Sequence, residues 1–418
     1  MRRERALRPA DEANLVLDHP GQVNVFLVAG LLAPGGFVSD AGELDAEAVR
    51  AAVGRRVAGI PELRQVPVRV GRHHEWADCE PDLAAQVRVV PAIEGLDELE
   101  RRCGALMVEP LPLTSPPWEL LLAPAPGGAA MILRIHHVLA DGMAAADLIR
   151  RLLADATATT DEPIAQSRRS SPALPAGSRV GRVLFGLRRT MTTLVARGLP
   201  ETVLLGARSS RHGVIFADAD LGRIAAAAHG VDATVNDAAL AVAAAGYRAA
   251  LARSGRPVPS ELPVSVPVAL TRRGDSRNQV GIMLVRLPLR GGEATDVVAR
   301  IAAQTRTQKV QARRQGTLEL MRGPVGARIM DRLAHRQHLV GGFVTNVPGP
   351  AHELRLAGAA LTQLWPVSVL AANVRLGVAV VSYAGRLCVG VHFDAGYIDG
   401  AAVASAVRSE LAALESTR

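Results

Sequence analysis

Two adjacent histidines, His136-His137, precede Asp141 and Gly142 between an apolar run and an amphipathic stretch, within Met131–Leu148, MILRIHHVLADGMAAADL. A neutral imidazole titrates near working pH and can take a proton from a hydroxyl as that hydroxyl attacks an acyl carbonyl. Side chains alternate along a strand, so one of the two histidines can face a given cavity while the other packs away. Asp141 could orient the ring, or turn back and pin the loop by pairing with an arginine; the residues alone leave both open. On spacing alone, a structural histidine pair stands level with catalysis. A metal site is the weaker reading, because no third ligand lies at helical or hairpin spacing.

These side chains need a strand and a helix to hold them. Met131–Ile135 leaves the turn Pro126-Gly127-Gly128 as a buried strand would, and Trp118–Ala123 is its expected hairpin partner. From Met143 onward, Leu148, Ile149, Leu152 and Leu153 recur at helical spacing. The histidines therefore sit where a strand hands over to a helix, with Gly142 letting the loop turn tightly.

His136-His137-Val138-Leu139-Ala140-Asp141-Gly142 resembles the HHxxxDG motif of the CoA-dependent acyltransferase superfamily, which includes chloramphenicol acetyltransferase and condensation domains. The rest of the chain resembles one branch, the bacterial wax ester synthase/diacylglycerol acyltransferase family. Leu7–Leu17 (LRPADEANLVL) is similar to that family's opening, and Pro61–Gln65 and Trp76-Ala77-Asp78 to its next blocks. Pro116-Pro117-Trp118-Glu119 resembles its PLW motif with the leucine lost. Val235-Asn236-Asp237 falls at its ND motif, Arg277-Asn278-Gln279-Val280 near its GNxV block, and Asn346–Pro350 matches NVPGP. The departures, Pro117 for leucine and Arg277 for glycine, bear on acceptor choice more than on reaction type.

Composition agrees with a large soluble enzyme. The 418 residues, 49% hydrophobic, suffice for a sizeable core. Aromatics at 3% argue against base-stacking nucleic-acid modules, so no nucleic acid is expected. The net charge of +8 comes almost wholly from arginine, Lys309 being the only lysine; it fits either a GC-rich genome or attraction to CoA phosphates and anionic lipid. Cys79, Cys103 and Cys388 are odd in number and widely spaced, so no disulfide framework is expected and a reducing compartment fits. The charged opening MRRERALRPADEAN does not read as a signal peptide, and no run of about 18 apolar residues reads as a membrane span.

Along the chain, 23–32 reads as a strand, 44–57 as an amphipathic helix and 97–107 as a helix. His73-His74 lacks an aspartate-glycine at the right offset and reads as surface or structural. Residues 155–177, rich in Ala, Thr, Ser and Pro, read as an exposed linker. Val180–Val195 then forms an amphipathic pattern with Arg182, Arg188 and Arg189 among its apolar residues. Such a helix either lies on anionic lipid or packs one face on the protein. The second half predicts strands at 214–217, 264–268 and 281–287 and helices at 234–250, capped by Thr234, and 294–313. It also predicts a hairpin over 375–393 turning at Ala384-Gly385, and a rigid turn at Asn346–Pro350. His392 reads as structural.

The expected architecture is α/β: two chloramphenicol acetyltransferase-like subdomains with mixed sheets flanked by helices and an active-site channel between them. Residues 1–155 form the first subdomain, 156–212 the linker with the basic helix, and 213–418 the second. The resemblance implies an acyl-CoA-dependent O-acyltransferase that esterifies a long-chain alcohol or diacylglycerol, with acyl-CoA as substrate and neither metal nor further cofactor. His137 would be the general base and His136 a packing and orienting residue, with Asp141 and Gly142 completing the motif. Asn278 would contact the oxyanion or acceptor. Trp118 is expected in the core or a cavity wall, and Asn346 near the channel. The expected location is the cytoplasm, free or peripheral on the inner membrane face or lipid droplets; oligomeric state is open. Two alternatives stand: a relative that acylates a specialised metabolite or uses a carrier-bound donor, and a non-catalytic lipid-binding scaffold.

Overall fold

The computed structural model describes residues 6–140, 142–153, 199–270, 279–314 and 324–417. In the first half the elements are α1 (Pro9–Val16), β1 (Val25–Leu32), α2 (Ala46–Val57), a 3-10 turn at Pro61–Arg64, β2 (Gln65–Val70), β3 (His73–Asp78), α3 (Leu83–Gln86), β4 (Val87–Val89), α4 (Leu96–Leu106), β5 (Trp118–Ala125), β6 (Gly128–His136) and α5 (Gly142–Leu153). The second half continues with β7 (His212–Asp220), α6 (Leu221–Gly230), α7 (Val235–Ala252), β8 (Glu261–Leu270), β9 (Gln279–Pro288), α8 (Ala294–Arg314) and α9 (Pro324–Ala334). It closes with β10 (Phe343–Pro348), β11 (Arg355–Leu356), β12 (Ala359–Val367), β13 (Leu376–Tyr383), β14 (Arg386–Asp394) and α10 (Gly400–Ser416).

Local chemistry accounts for many boundaries. Asp45 caps α2, whose Val49, Val53 and Val57 repeat every four residues and are buried. Thr234 and Asp237 form a capping box that starts α7. Ala384 and Gly385, both at positive φ, turn β13 into β14 at the expected dipeptide.

Two six-stranded mixed sheets form the two lobes, ordered β11-β12-β1-β6-β5-β4 and β7-β14-β13-β10-β8-β9. β11 and β12, from the C-terminal half, close the edge of the first sheet, with Leu27 of β1 opposite Val367 of β12. Where β12 lies against the second sheet, Trp365 stacks on Phe216 of β7 at 5.0 Å with the planes 14° apart. Gly390 of β14 passes so close to β12 that a Cβ there would stand 1.8 Å from the Pro366 carbonyl oxygen. The lobes are thus bound by a strand of the second half that serves the first sheet.

One local expectation is corrected. Asn346–Pro348 is the last part of β10, parallel to β13, and not a turn. The six pairings from Phe343↔Gly377 to Pro348↔Ser382 outweigh the turn tendency of Pro-Gly, and Pro348 sits at the strand end, where a missing N–H costs least. Asp141, Asn278 and residues 180–195 lie outside the described residues. No helix among the described residues is long and apolar enough to cross a membrane.

Candidate active site

β6 is buried along its whole length and runs between β1 and β5, with Val25 opposite His136 and Trp118 opposite Ile135. The strand ends at His136 because the chain turns there: the Leu139 N–H donates to the His136 carbonyl at 3.0 Å, and α5 begins at Gly142. The handover from strand to helix is as the apolar pattern predicts. His137, first in the turn, is released from the strand's alternation.

The two rings have different environments. His136 is fully buried, and its Nδ1 accepts the Val138 N–H at 3.0 Å. In the neutral ring the proton is therefore on Nε2, which stands 3.4 Å from Asp18 Oδ2. Burial alone would raise the Asp18 carboxyl, but the contact with His136, the Asn24 N–H bond and the charges of His136 and His19 outweigh it and hold it below the ordinary value. His136 is thereby fixed in tautomer and orientation.

His137 is half-buried, its ring 5.0 Å from that of Phe26 at 55°. Burial lowers its imidazole to about 4; the neighbouring His136 acts in the same direction, and a hydrogen bond with the Ala140 backbone acts against both. The Ala140 contact favours the protonated ring, as a bond donated by an imidazole to a carbonyl does. At neutral pH this is an uncharged imidazole, able to accept a proton.

The loop backbone is held from α1 and the start of β1. The His137 N–H donates to the Asn24 carbonyl at 3.0 Å, and its carbonyl accepts from Asn14 Nδ2 at 3.1 Å. Asn24 Nδ2 donates to the Asn14 carbonyl at 2.9 Å, and the Asn24 N–H to Asp18 Oδ1 at 2.9 Å. Sequence reasoning missed Asn14, Asp18 and Asn24 as a group. Its trace was Asn24, a polar residue between Val23 and Val25 in an apolar run, which asks for a buried partner.

Two residues upstream, Arg134 is 2% exposed and pairs with Glu119 across the β5–β6 ladder. Its Nη2 donates to the carbonyls of Leu106, at 2.8 Å, and Glu109, while Arg88 donates to the second Glu119 oxygen at 2.7 Å. Every charge of this cluster has a partner, and it ties β5 and β6 to the end of α4.

Of the other predicted residues, Trp118 is 2% exposed and donates its indole N–H to the Leu63 carbonyl at 3.0 Å, which places it in the core. Asn346 Nδ2 donates to Asn236 Oδ1 at 3.4 Å, and its strand, β10, packs against α5, the helix that follows the histidines. Asp237 is structural: it accepts from Thr234 at the cap and from the Thr305 hydroxyl at 2.6 Å. Gly142 is the first residue of α5. His74 donates its N–H to Glu12 Oε1 at 2.8 Å, and His392 is buried against the Ser368 carbonyl and His212.

His19, Asp331 and His335 lie close enough for a ligand atom of each to fall within 4.8 Å of the others. His19 Nδ1 accepts the Gly21 N–H at 3.2 Å, so Nε2 carries the proton and faces Asp331 Oδ2 at 3.5 Å, with no lone pair for a cation. His335 Nδ1 lies 2.8 Å from the Asp331 carbonyl oxygen. The trio latches the turn after α1 to α9.

Comparison with known proteins gives the same outline. Residues 7–239 match the model of the wax ester synthase/diacylglycerol acyltransferase catalytic domain, and residues 277–415 that of the WS/DGAT C-terminal domain. A Mycobacterium tuberculosis relative, named as a probable diacylglycerol O-acyltransferase, is 30% identical over 371 residues, 79% of each chain. The wax ester synthase/diacylglycerol acyltransferase from Marinobacter aquaeolei VT8 superposes with a TM-score of 0.70 at 21% identity over 98% of both chains. The first condensation domain of the CDA synthetase superposes with a TM-score of 0.62 at 18% identity, covering 99% of this chain and 96% of that one, which shows a shared fold.

Proposed function

This chain belongs to the wax ester synthase/diacylglycerol acyltransferase family and is an O-acyltransferase, and from that premise we propose its reaction in detail. It transfers the acyl group of an acyl-CoA to the hydroxyl of a lipid acceptor, a long-chain alcohol or diacylglycerol, at a channel between the lobes. His137 takes the hydroxyl proton on its imidazole as the oxygen attacks the thioester carbonyl. The tetrahedral oxyanion collapses, the C–S bond breaks, and the proton on His137 passes to the CoA sulfur. No covalent acyl-enzyme and no metal is needed.

The observation that carries this reading is the half-buried His137 in the turn after β6, its backbone held by Asn24 and Asn14 and its imidazole kept neutral by burial. His136 positions it, held between Val138 and Asp18. Asp141 and Asn278 lie outside the described residues; Asp141 is assigned to orienting the ring or pinning the loop, and Asn278 to the developing oxyanion or the acceptor. Asn346, paired with Asn236 opposite α5, borders the acceptor side. A lipid acceptor also places the enzyme at a lipid interface, as a peripheral protein of the inner membrane face or of lipid droplets.

The test follows free CoA released from a long-chain acyl-CoA with a long-chain alcohol, with diacylglycerol, or with neither. Release that depends on a lipid alcohol is expected. Turnover supported solely by a carrier-protein thioester or a small polar acceptor would replace the substrate assignment, and binding of acyl-CoA without turnover would replace catalysis by a scaffold role.

A further inference from the structure

We propose that the outer face of α9 docks the enzyme on an anionic lipid surface. Ile329 and Leu333, one turn apart, are 54% and 61% exposed. Arg328 and Arg332 follow the same four-residue step on α9, Arg336 lies in the turn just after it, and all three are exposed beside them. Four-residue steps stack on a helix, so an aliphatic stripe runs alongside a cationic one. The opposite face is occupied: Ala327 is buried, and Asp331 and His335 meet His19. The exposed aliphatic pair is therefore not left over from core packing, since the helix already has an inner side.

An aliphatic stripe bordered by arginines matches the interfacial region of an anionic bilayer, where side chains such as Ile and Leu enter the acyl boundary and guanidinium groups meet phosphates. A nucleic acid would use the arginines and leave the aliphatic pair in water. The position also suits the chemistry. α9 packs against α1, and α1 carries Asn14, which holds the His137 carbonyl. Docking through α9 would bring the lipid surface to the helix pair that borders the catalytic turn. This functional sense rests on the lipid-acceptor reading above; the surface itself rests on the exposure and spacing of the five side chains.

The experiment uses the full chain, without substrate, in co-sedimentation with vesicles of phosphatidylcholine alone or with phosphatidylglycerol added. The parent should bind the phosphatidylglycerol vesicles at low salt and release as ionic strength rises towards 1 M, where screening shortens to about 3 Å. Each of Arg328→Gln and Arg332→Gln should weaken binding about fivefold, the factor for one basic residue at an anionic surface. The double variant Ile329→Asp with Leu333→Asp should abolish it, with an unchanged melting temperature because both sites are exposed. Turnover of a short-chain thioester with a water-soluble alcohol should be unchanged in all of these. A parent that ignores phosphatidylglycerol vesicles, or a double variant that still binds them, overturns the proposal. So does a parent dimer that the double variant dissolves, since a second copy would then own the face. If docking through α9 is found while no lipid alcohol is acylated, the surface stands and the acceptor assignment falls.

Discussion

His136 Nε2 stands 3.4 Å from Asp18 Oδ2 while its Nδ1 accepts the Val138 N–H at 3.0 Å, so the first histidine of the pair is hydrogen-bonded at one nitrogen and faces a carboxylate with the other. Its neighbour His137 is half-buried in the turn, and burial keeps its imidazole neutral. This division of labour between adjacent residues underlies the predictions on catalysis.

His137→Ala should leave the fold intact, because the ring is half-buried in a turn, and should lower turnover by about 10² to 10⁴, the usual contribution of a general base. Single-turnover acyl transfer beside thermal unfolding measures both, and a fully active alanine variant would end the assignment.

The pH profile offers an independent check. A base must be unprotonated to act, and the His137 imidazole is lowered to about 4. Activity should therefore be level from neutral pH down through 6 and fall as pH approaches about 4. A fall centred near 6.5, the ordinary histidine value, would mean that His137 is not the titrating base.

Asp18→Asn should act through His136. The variant keeps the size of the side chain but removes the charge facing Nε2, so His136 loses its hold and the turn its register. Turnover is expected to fall about tenfold or more with little change in KM, and the acidic limb of the pH profile should move. A variant with the parent's turnover and profile would show that Asp18 does not orient the pair.

Acid should destabilise the protein before its carboxylates titrate. His392 is lowered to about 3, chiefly by burial and then by His212, and His137 to about 4. The unfolded chain takes up these protons near 6.5 and the folded chain does not, so stability present above 6.5 is lost progressively as pH falls towards 3. The urea midpoint should drop between pH 7.5 and 5, and His392→Asn should make that slope shallower. Equal slopes in parent and variant would refute the assignment to His392.

Much of this was legible in the sequence where a short-range pattern carries the information. The four-residue recurrence of Val49, Val53 and Val57 fixes α2, and the Ala384-Gly385 turn fixes the β13–β14 hairpin. Which sheet a strand joins is another matter. Nothing local in Ala359–Val367 says that it pairs with β1, more than 300 residues away, because alternation specifies a face and not a partner. The site divides in the same way. The histidine motif is contiguous and can be read, whereas Asn14, Asp18 and Asn24 become a group through the packing of α1 on the turn. Trp118 is placed by its indole bond to Leu63, a contact that composition does not encode.

The ion pair beneath the site should be as important to stability as its burial suggests. Arg134 is buried, and its removal leaves Glu119 with Arg88 alone and the Leu106 and Glu109 carbonyls without this donor. Breaking a buried pair from one side costs roughly 3 to 5 kcal/mol, whereas replacing both members by apolar residues of similar volume is often nearly neutral. Arg134→Met should therefore lower the urea midpoint sharply and reduce soluble yield. The double variant Arg134→Met with Glu119→Leu should regain much of that loss, short of the parent because the two carbonyls still need water. Arg134 lies on β6 two residues before His136, so regained stability should bring regained turnover. Equilibrium unfolding of the two variants decides the point: a double variant no more stable than the single one would mean that the carbonyl contacts of Arg134, and not its pairing with Glu119, hold β6 in place.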